Sequence, residues 1–269
     1  MKYDIKQGDC LELMKDIPDD SIDMLLCDLP YGTTASSWDN IINFEELWQQ
    51  YKRIIKPGGA IGLFGSGSFT YKLIQSNEEW YKYKWVWLKN RKLNFVNAKN
   101  RPMTSYEEIM MFSNGNTANG SKIKMCYYPQ GLVEIHRVVK YRNTKFGTVV
   151  GKLHSPKEKI IQEYTNYPVD VLQFDCEPRP IHPSQKPVAL LEYLIKTYTN
   201  EGETVLDNCM GSGSTGIACI HTNRNFIGME LEEKYFNIAK DRMESELNNI
   251  PYVKNEVDTN TKNEKVILF

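Results

Sequence analysis

Apolar and polar positions alternate between two periods along most of the chain. Residues 22–28 (IDMLLCD) form a continuous apolar run of buried-strand length, and residues 10–15 before them have the length of a short helix. Residues 44–55 carry apolar side chains at helical spacing and reach Pro57-Gly58-Gly59, which predicts a helix stop, with a strand over 60–64 after it. A helix over 68–76, opened by a serine cap, is expected next. Residues 81–88 alternate aromatics with lysines, as in a strand with one solvated face, and 107–112 is a further strand. Residues 114–165 hold neither period; loops, short strands and an inserted module are expected there. Periodicity returns in VALLEYLIKTY after Pro187, with Leu190, Leu191, Leu194 and Ile195 on one helical face. A strand over 204–207, a glycine loop, a helix over 214–221, a strand over 226–230 and a helix over 232–247 follow. The βαβα rhythm predicts a doubly wound, mostly parallel sheet. The segment 251–269 reads as a polar tail.

Composition narrows the class. An apolar fraction of 41% and 5 Trp, 16 Tyr and 10 Phe in 269 residues predict a packed core. No long apolar span and no signal-peptide pattern is visible, so a soluble cytoplasmic protein without membrane contact is expected. The six scattered cysteines read as reduced thiols, and with four widely spaced histidines they give no metal signature. Net charge is only −1, but it is unevenly spread: residues 82–101 hold seven basic residues and no acid. Residues 121–160 hold nine basic residues against Glu134 and Glu158. Interleaved with Trp85, Trp87, Phe95, Tyr127, Tyr128, Tyr141 and Phe146, such stretches suit a polyanion with stackable bases; a charge run alone is as readily a solvated surface.

Two constellations carry chemistry. In Val205-Leu206-Asp207-Asn208-Cys209-Met210-Gly211-Ser212-Gly213-Ser214 a buried strand enters a glycine loop and then a helix, and Glu230 ends the next strand nineteen residues beyond Gly211. That spacing offers a carboxylate to the two hydroxyls of a ribose. Asp207, immediately before the loop, would repel a pyrophosphate and favour a cation such as the ammonium or sulfonium of S-adenosylmethionine. No G-x-x-x-x-G-K-[ST] is present, which speaks against a P-loop enzyme. At the other end, Cys27-Asp28-Leu29-Pro30-Tyr31-Gly32 closes the first strong strand, where open α/β sheets place their chemistry. Asp28 is an acceptor, Pro30 fixes a turn that can aim the Leu29 carbonyl, and Tyr31 offers a face to a planar base.

Together these resemble the β group of DNA amino-methyltransferases, in which the nucleotide-binding half is permuted to the carboxyl end. The D-P-P-Y box is similar to Asp28-Leu29-Pro30-Tyr31, the D-x-F-x-G-x-G box to residues 207–213, the H-P-x-Q-K-P box to residues 182–187, and the amino-terminal G-D-C/A segment to Gly8-Asp9-Cys10. The resemblance covers most of residues 1–118 and 164–245. It implies a seven-stranded-type methyltransferase sheet with circularly permuted motif order, S-adenosylmethionine as cofactor and double-stranded DNA as partner. It leaves room for a homodimer and for a cognate restriction endonuclease. It places catalysis on Asp28, Leu29, Pro30 and Tyr31. Cofactor binding falls to Asp9, Cys10, Asp28, Ser184, Lys186, Asp207, Gly211, Ser212, Gly213 and Glu230, and no residue to a metal. Residues 1–118 become the catalytic half, 119–163 a target-recognition insertion, and 164–250 the cofactor half. Arg137, Lys140, Arg142 and Lys145 are candidates for phosphate or guanine contacts. Leu29 departs from the first proline of the box and Cys209 from the usual phenylalanine, which leaves that pocket wall less aromatic. The aspartate of the tetrapeptide points to N6 of adenine; an N4-cytosine enzyme, an RNA enzyme and an inactive DNA-binding protein of the same fold are the alternatives. The implied reaction flips the base out, holds its amine on Asp28 and the Leu29 carbonyl, stacks it on Tyr31 and needs no covalent intermediate.

Overall fold

The computed structural model describes residues 2–32, 40–139, 160–182 and 184–252. The chain divides into two compact units, Met1–Tyr128 with Asp170–Phe269, and Pro129–Val169. In chain order the elements are β1 (Tyr3–Gln7), α1 (Cys10–Leu13), β2 (Ile22–Cys27), α2 (Phe44–Ile54), β3 (Ile55–Gly65), α3 (Ser68–Ser76), β4 (Tyr81–Leu93) and β5 (Thr104–Phe112). They continue with β6 (Val133–Val139), β7 (Ile160–Thr165), β8 (Val171–Gln173), α4 (Val188–Tyr198), β9 (Thr204–Asp207), α5 (Ser214–His221), β10 (Asn225–Glu230) and α6 (Glu233–Leu247).

In the larger unit eight strands form one sheet in the order β1-β10-β9-β2-β3-β5-β4-β8. Only β5 runs against its neighbours. Alternation along the strands builds two cores. Met24 and Leu26 pack with Leu190, Leu194, Ala218 and Met243 of α4, α5 and α6 on one face. Leu25 and Cys27 pack with Leu47, Tyr51 and Phe69 of α2 and α3 on the other. Each such buried Leu or Phe contributes about 1.5–3 kcal/mol of transfer free energy, so both faces need their helices. The smaller unit contains the antiparallel pair β6–β7.

Several elements depart from the pattern reading. Pro57-Gly58-Gly59 does not separate a helix from a strand: β3 already begins at Ile55 and runs through it as a bulge, Ile22 pairing with Ile55 and Met24 with Ala60. Gly58 allows this because it takes φ +80°, and a Cβ there would lie 2.4 Å from the Lys124 carbonyl. The cap of α3 is Gly67, with no side-chain hydrogen bond, instead of a serine. The polar edge strand β1 and the three-residue β8 add to the strands expected. Residues 114–128 belong to the larger unit because hydrogen bonds tie them down, Gly58 N donating to the Asn114 side-chain Oδ1 (2.7 Å), Cys126 N to the Gly58 carbonyl (2.8 Å) and Tyr128 N to the Thr197 carbonyl (2.7 Å). Among the described residues no helix is long and apolar enough to cross a membrane.

Candidate active site

Because β1, β10, β9 and β2 are parallel neighbours, the segments leaving their carboxyl ends meet at one sheet edge. These segments are Gly8–Cys10, Glu230–Leu231, Asp207–Ser212 and Asp28–Tyr31, and with His182 and Ser184–Lys186 they line a single cavity of about 450 Å³. That volume lies in the range of small-molecule sites. Residues more than two hundred positions apart in the chain thus share one pocket.

In the glycine-loop half, Asp207 is buried and both its oxygens are used: Thr215 Oγ1 donates to one (2.6 Å) and Cys209 N to the other (3.1 Å). Burial pushes its carboxyl up to about 6 against those hydrogen bonds. The open counter-charge expected from the sequence is therefore a group that shapes the loop. Gly213 takes φ +79° and a Cβ there would meet the Ala239 Cβ at 2.9 Å, so the loop can approach α6 only with glycine. Glu230 accepts from Gly211 N (2.8 Å) and Glu232 N (2.9 Å), clamping the loop to the end of β10. Arg242, which sequence reasoning did not single out, donates to the carbonyl and hydroxyl of Ser212. Asp9 caps α1 through Leu11 N (2.8 Å). The Cys10 thiol accepts from Asn208 Nδ2 (3.5 Å), and burial pushes the neighbouring Cys27 thiol up to about 12. His182 packs over Gly211, with its ring edge on Tyr235 (4.2 Å), and accepts from Ser184 N (3.2 Å). Its burial pushes it down to about 4, so it stays neutral.

The tetrapeptide half is built around a charge relay through the sheet. Asp28 accepts from Tyr31 Oη (2.8 Å) on one oxygen and from Lys186 Nζ (2.5 Å) on the other. Lys186 also lies 3.4 Å from Glu107, whose other oxygen takes Lys89 Nζ (2.5 Å). Lys186 is 8% exposed and stands over the Phe64 ring at 5.0 Å. Burial raises the Asp28 carboxyl above the usual carboxylate range, and the adjacent Lys186 opposes this. Burial would also raise Glu107, but Lys186 and Lys89 hold it below that range. Lys186, expected on the cofactor, is thus turned to the Asp28 carboxylate. Tyr31 stacks on Phe69 (centroids 4.6 Å, planes 25° apart), and burial followed by the Asp28 charge keeps its phenol protonated. Leu29 is buried beside it. Glu107 and Lys89 were not picked out from the sequence; the available signal was an acidic pair opening the apolar run of β5. Arg137 is exposed on β6, while Pro183, Lys140, Arg142 and Lys145 lie outside the described residues.

A family model described as DNA methylase matches residues 22–241. The Type II methyltransferase M.HpaI of Haemophilus parainfluenzae is 26% identical over 255 residues, covering 90% of this chain and 74% of its own. M2.DpnII of Streptococcus pneumoniae, also a Type II methyltransferase, is 26% identical over 270 residues, covering 91% of each. Among solved structures, an M1.HpyAVI–SAM complex is similar with TM-score 0.57 and 27% identity, over 89% of this chain and 99% of that one. The cytosine-N4-specific PvuII DNA methyltransferase shares the fold at TM-score 0.61 and 17% identity, over 89% of this chain and 86% of that one.

Proposed function

The chain belongs to the DNA methylase family, in the β-group order of motifs, and from that premise we propose that it methylates the N6 amine of an adenine flipped out of double-stranded DNA. The observation that supports this reading is the one cavity joining Asp28–Tyr31 to the Gly211–Glu230 cradle. A flipped base and a nucleoside-type cofactor can meet there without water between them.

The lining fits S-adenosylmethionine. Glu230 and Asp9 are acceptors for hydroxyls and amines, the glycine loop lets a ligand approach its backbone, and His182 and Tyr235 supply apolar faces. When bound, that cofactor supplies an electrophilic methyl group. The rest falls to the protein. An exocyclic amine is a weak nucleophile because its lone pair is delocalised into the ring. Asp28 accepts one amine N–H and the Leu29 carbonyl the other, steering the nitrogen toward a localised lone pair. Tyr31 Oη and Lys186 Nζ hold the Asp28 oxygens in place, and Lys186 favours the ionised form that accepts. The Tyr31 ring, backed by Phe69, holds the base plane. Buried, protonated thiols have no part in the transfer. Residues 1–118 serve as the catalytic half and 164–250 as the cofactor half. Residues 119–163, which include β6 and the start of β7, serve target recognition, with Arg137 among the DNA contacts.

Incubating purified protein with duplex DNA and S-adenosylmethionine labelled with tritium in the methyl group, then digesting to nucleosides, tests the reading. Label in N6-methyl-2′-deoxyadenosine is expected. Label in N4-methylcytosine would reassign the base, and cofactor binding without label would make the chain an inactive DNA-binding protein.

A further inference from the structure

The connection between β4 and β5 carries a feature that neither the cofactor cavity nor the charge relay uses. Since β4 is parallel to β2 and β3, its carboxyl end and the start of β5 lie at the same sheet edge as Asp28. The relay makes the same point in distances, because Lys89 of β4 meets Glu107 of β5, and Glu107 meets the Lys186 that holds Asp28. From there the strands run on past Lys89 and close at the Leu93–Thr104 pair, so the connection starts at the rim of the active site.

That connection is an ordered turn. Asn94 enters it at φ 67°, its amide donates to Thr104 Oγ1 (3.0 Å), and Phe95–Asn97 make a 3₁₀ turn closed by Ala98 N on the Phe95 carbonyl (3.0 Å). Its apex holds two large apolar side chains that no core covers, Phe95 at 79% and Val96 at 86% exposure. The same connection carries Arg91, Lys92, Lys99 and Arg101, all exposed and none in a salt bridge among the described residues; Arg91 donates to the Pro178 carbonyl (3.0 Å) and Arg101 to Thr104 Oγ1 (3.3 Å). A protein-docking patch would be broader and poorer in free cations. An exposed apolar pair flanked in the chain by cations without an acidic partner is complementary to nucleic acid, the cations to phosphates and the apolar pair to a base step that has lost its stacking.

We propose that the Phe95–Val96 turn is a wedge. It enters the duplex beside the target base and fills the space left when that base flips out, while Arg91, Lys92, Lys99 and Arg101 grip the flanking phosphates. The proposal rests on the DNA methylase reading and adds to it the device that keeps the duplex open.

The test uses the full chain and a duplex oligonucleotide bearing the target motif, read beforehand from the modified bases in DNA of cells expressing the protein. The target base is either fully paired or opposite an abasic site. For Phe95→Ser/Val96→Ser, kcat/KM on the paired duplex should fall at least about tenfold while that on the abasic duplex stays within about threefold of wild type, because an unpaired base needs no wedge. Lys92→Gln/Lys99→Gln should lower the slope of log binding against log salt by about 2 on both duplexes. Equal rates for the serine variant and wild type on paired DNA would overturn the wedge. An equal loss on both duplexes would overturn it too, and would make the turn a general binding contact. If wild-type protein modifies neither duplex, it is the methylase reading that fails.

Discussion

Lys186 is the residue whose removal reports most directly on the state of Asp28. Its ammonium stands 2.5 Å from Asp28 and 3.4 Å from Glu107 in a buried site. Lys186→Met keeps the length of the side chain and deletes the charge. An ion pair at about 4 Å in an effective dielectric near 20 is worth about 4 kcal/mol, the scale on which deleting the ammonium acts on Asp28. Losing one partner of a buried pair costs a similar 3–5 kcal/mol or so. Burial already raises the Asp28 carboxyl, and Lys186 is the charge that counters it. Without it the unopposed burial shifts Asp28 toward the protonated form, which donates where it must accept, so transfer should fall by about 10²–10³. The sign is testable. An acceptor that works only when ionised loses activity as pH falls through its pKa, so Lys186→Met should move the acid limb of kcat to higher pH. Glu107 has the opposite influence on Asp28, and Glu107→Gln should move the limb to lower pH. Tritiated-methyl transfer at saturating DNA and cofactor from about pH 5 to 9 reads both. Limbs that stay at the wild-type position, or that move in the same direction in the two variants, would refute the relay.

Asp28→Ala should keep cofactor affinity and lose at least about 10²-fold in methyl transfer, and wild-type-like turnover would remove Asp28 from catalysis. Glu230→Ala removes the clamp on Gly211 together with the proposed ribose acceptor. Calorimetric titration should show S-adenosylmethionine binding weaker by about 1.5–3 kcal/mol, and an unchanged dissociation constant would place the ribose elsewhere. Asp207 is held at about 6 against an ordinary 3.8, so the folded protein binds its proton the more readily. The contribution of this group is therefore fully present below about pH 4 and lost as pH rises through about 6, a change of about 3 kcal/mol. The melting-temperature advantage of Asp207→Asn should be largest at neutral pH and shrink toward pH 4, and a pH-independent difference would contradict this.

How much of this was legible in the chain depended on whether one segment carried the signal. The α4 helix and the β9–loop–α5–β10 run were plain, because Leu190, Leu191, Leu194 and Ile195 repeat at helical spacing and the glycines sit between two apolar strands. Strand β1 was not, since Tyr3–Gln7 is a polar edge strand whose partner, β10, lies more than two hundred residues away. Pro57-Gly58-Gly59 misled because a bulge and a stop use the same residues, and only the Lys124 carbonyl against Gly58 distinguishes them. Of the catalytic and cofactor-binding residues proposed from the sequence all but Gly213 line one cavity, and their hydrogen-bond partners were not legible. That Lys186 turns to Asp28, and that Glu107 and Lys89 stand behind it, follows from β5 running antiparallel between β3 and β4, a pairing no local pattern announces.

Asp28 and the glycine-loop cradle, as one adenine-methylating centre, must both be intact for DNA to be modified in the cell. Methylation-sensitive long-read sequencing of DNA from cells expressing either the wild-type chain or Asp28→Ala tests this most directly. N6-methyladenine is expected at one short motif with the wild-type chain and nowhere with the variant. Unmodified adenines with the wild-type chain, methylation confined to cytosines, or an unchanged pattern with the variant would contradict it.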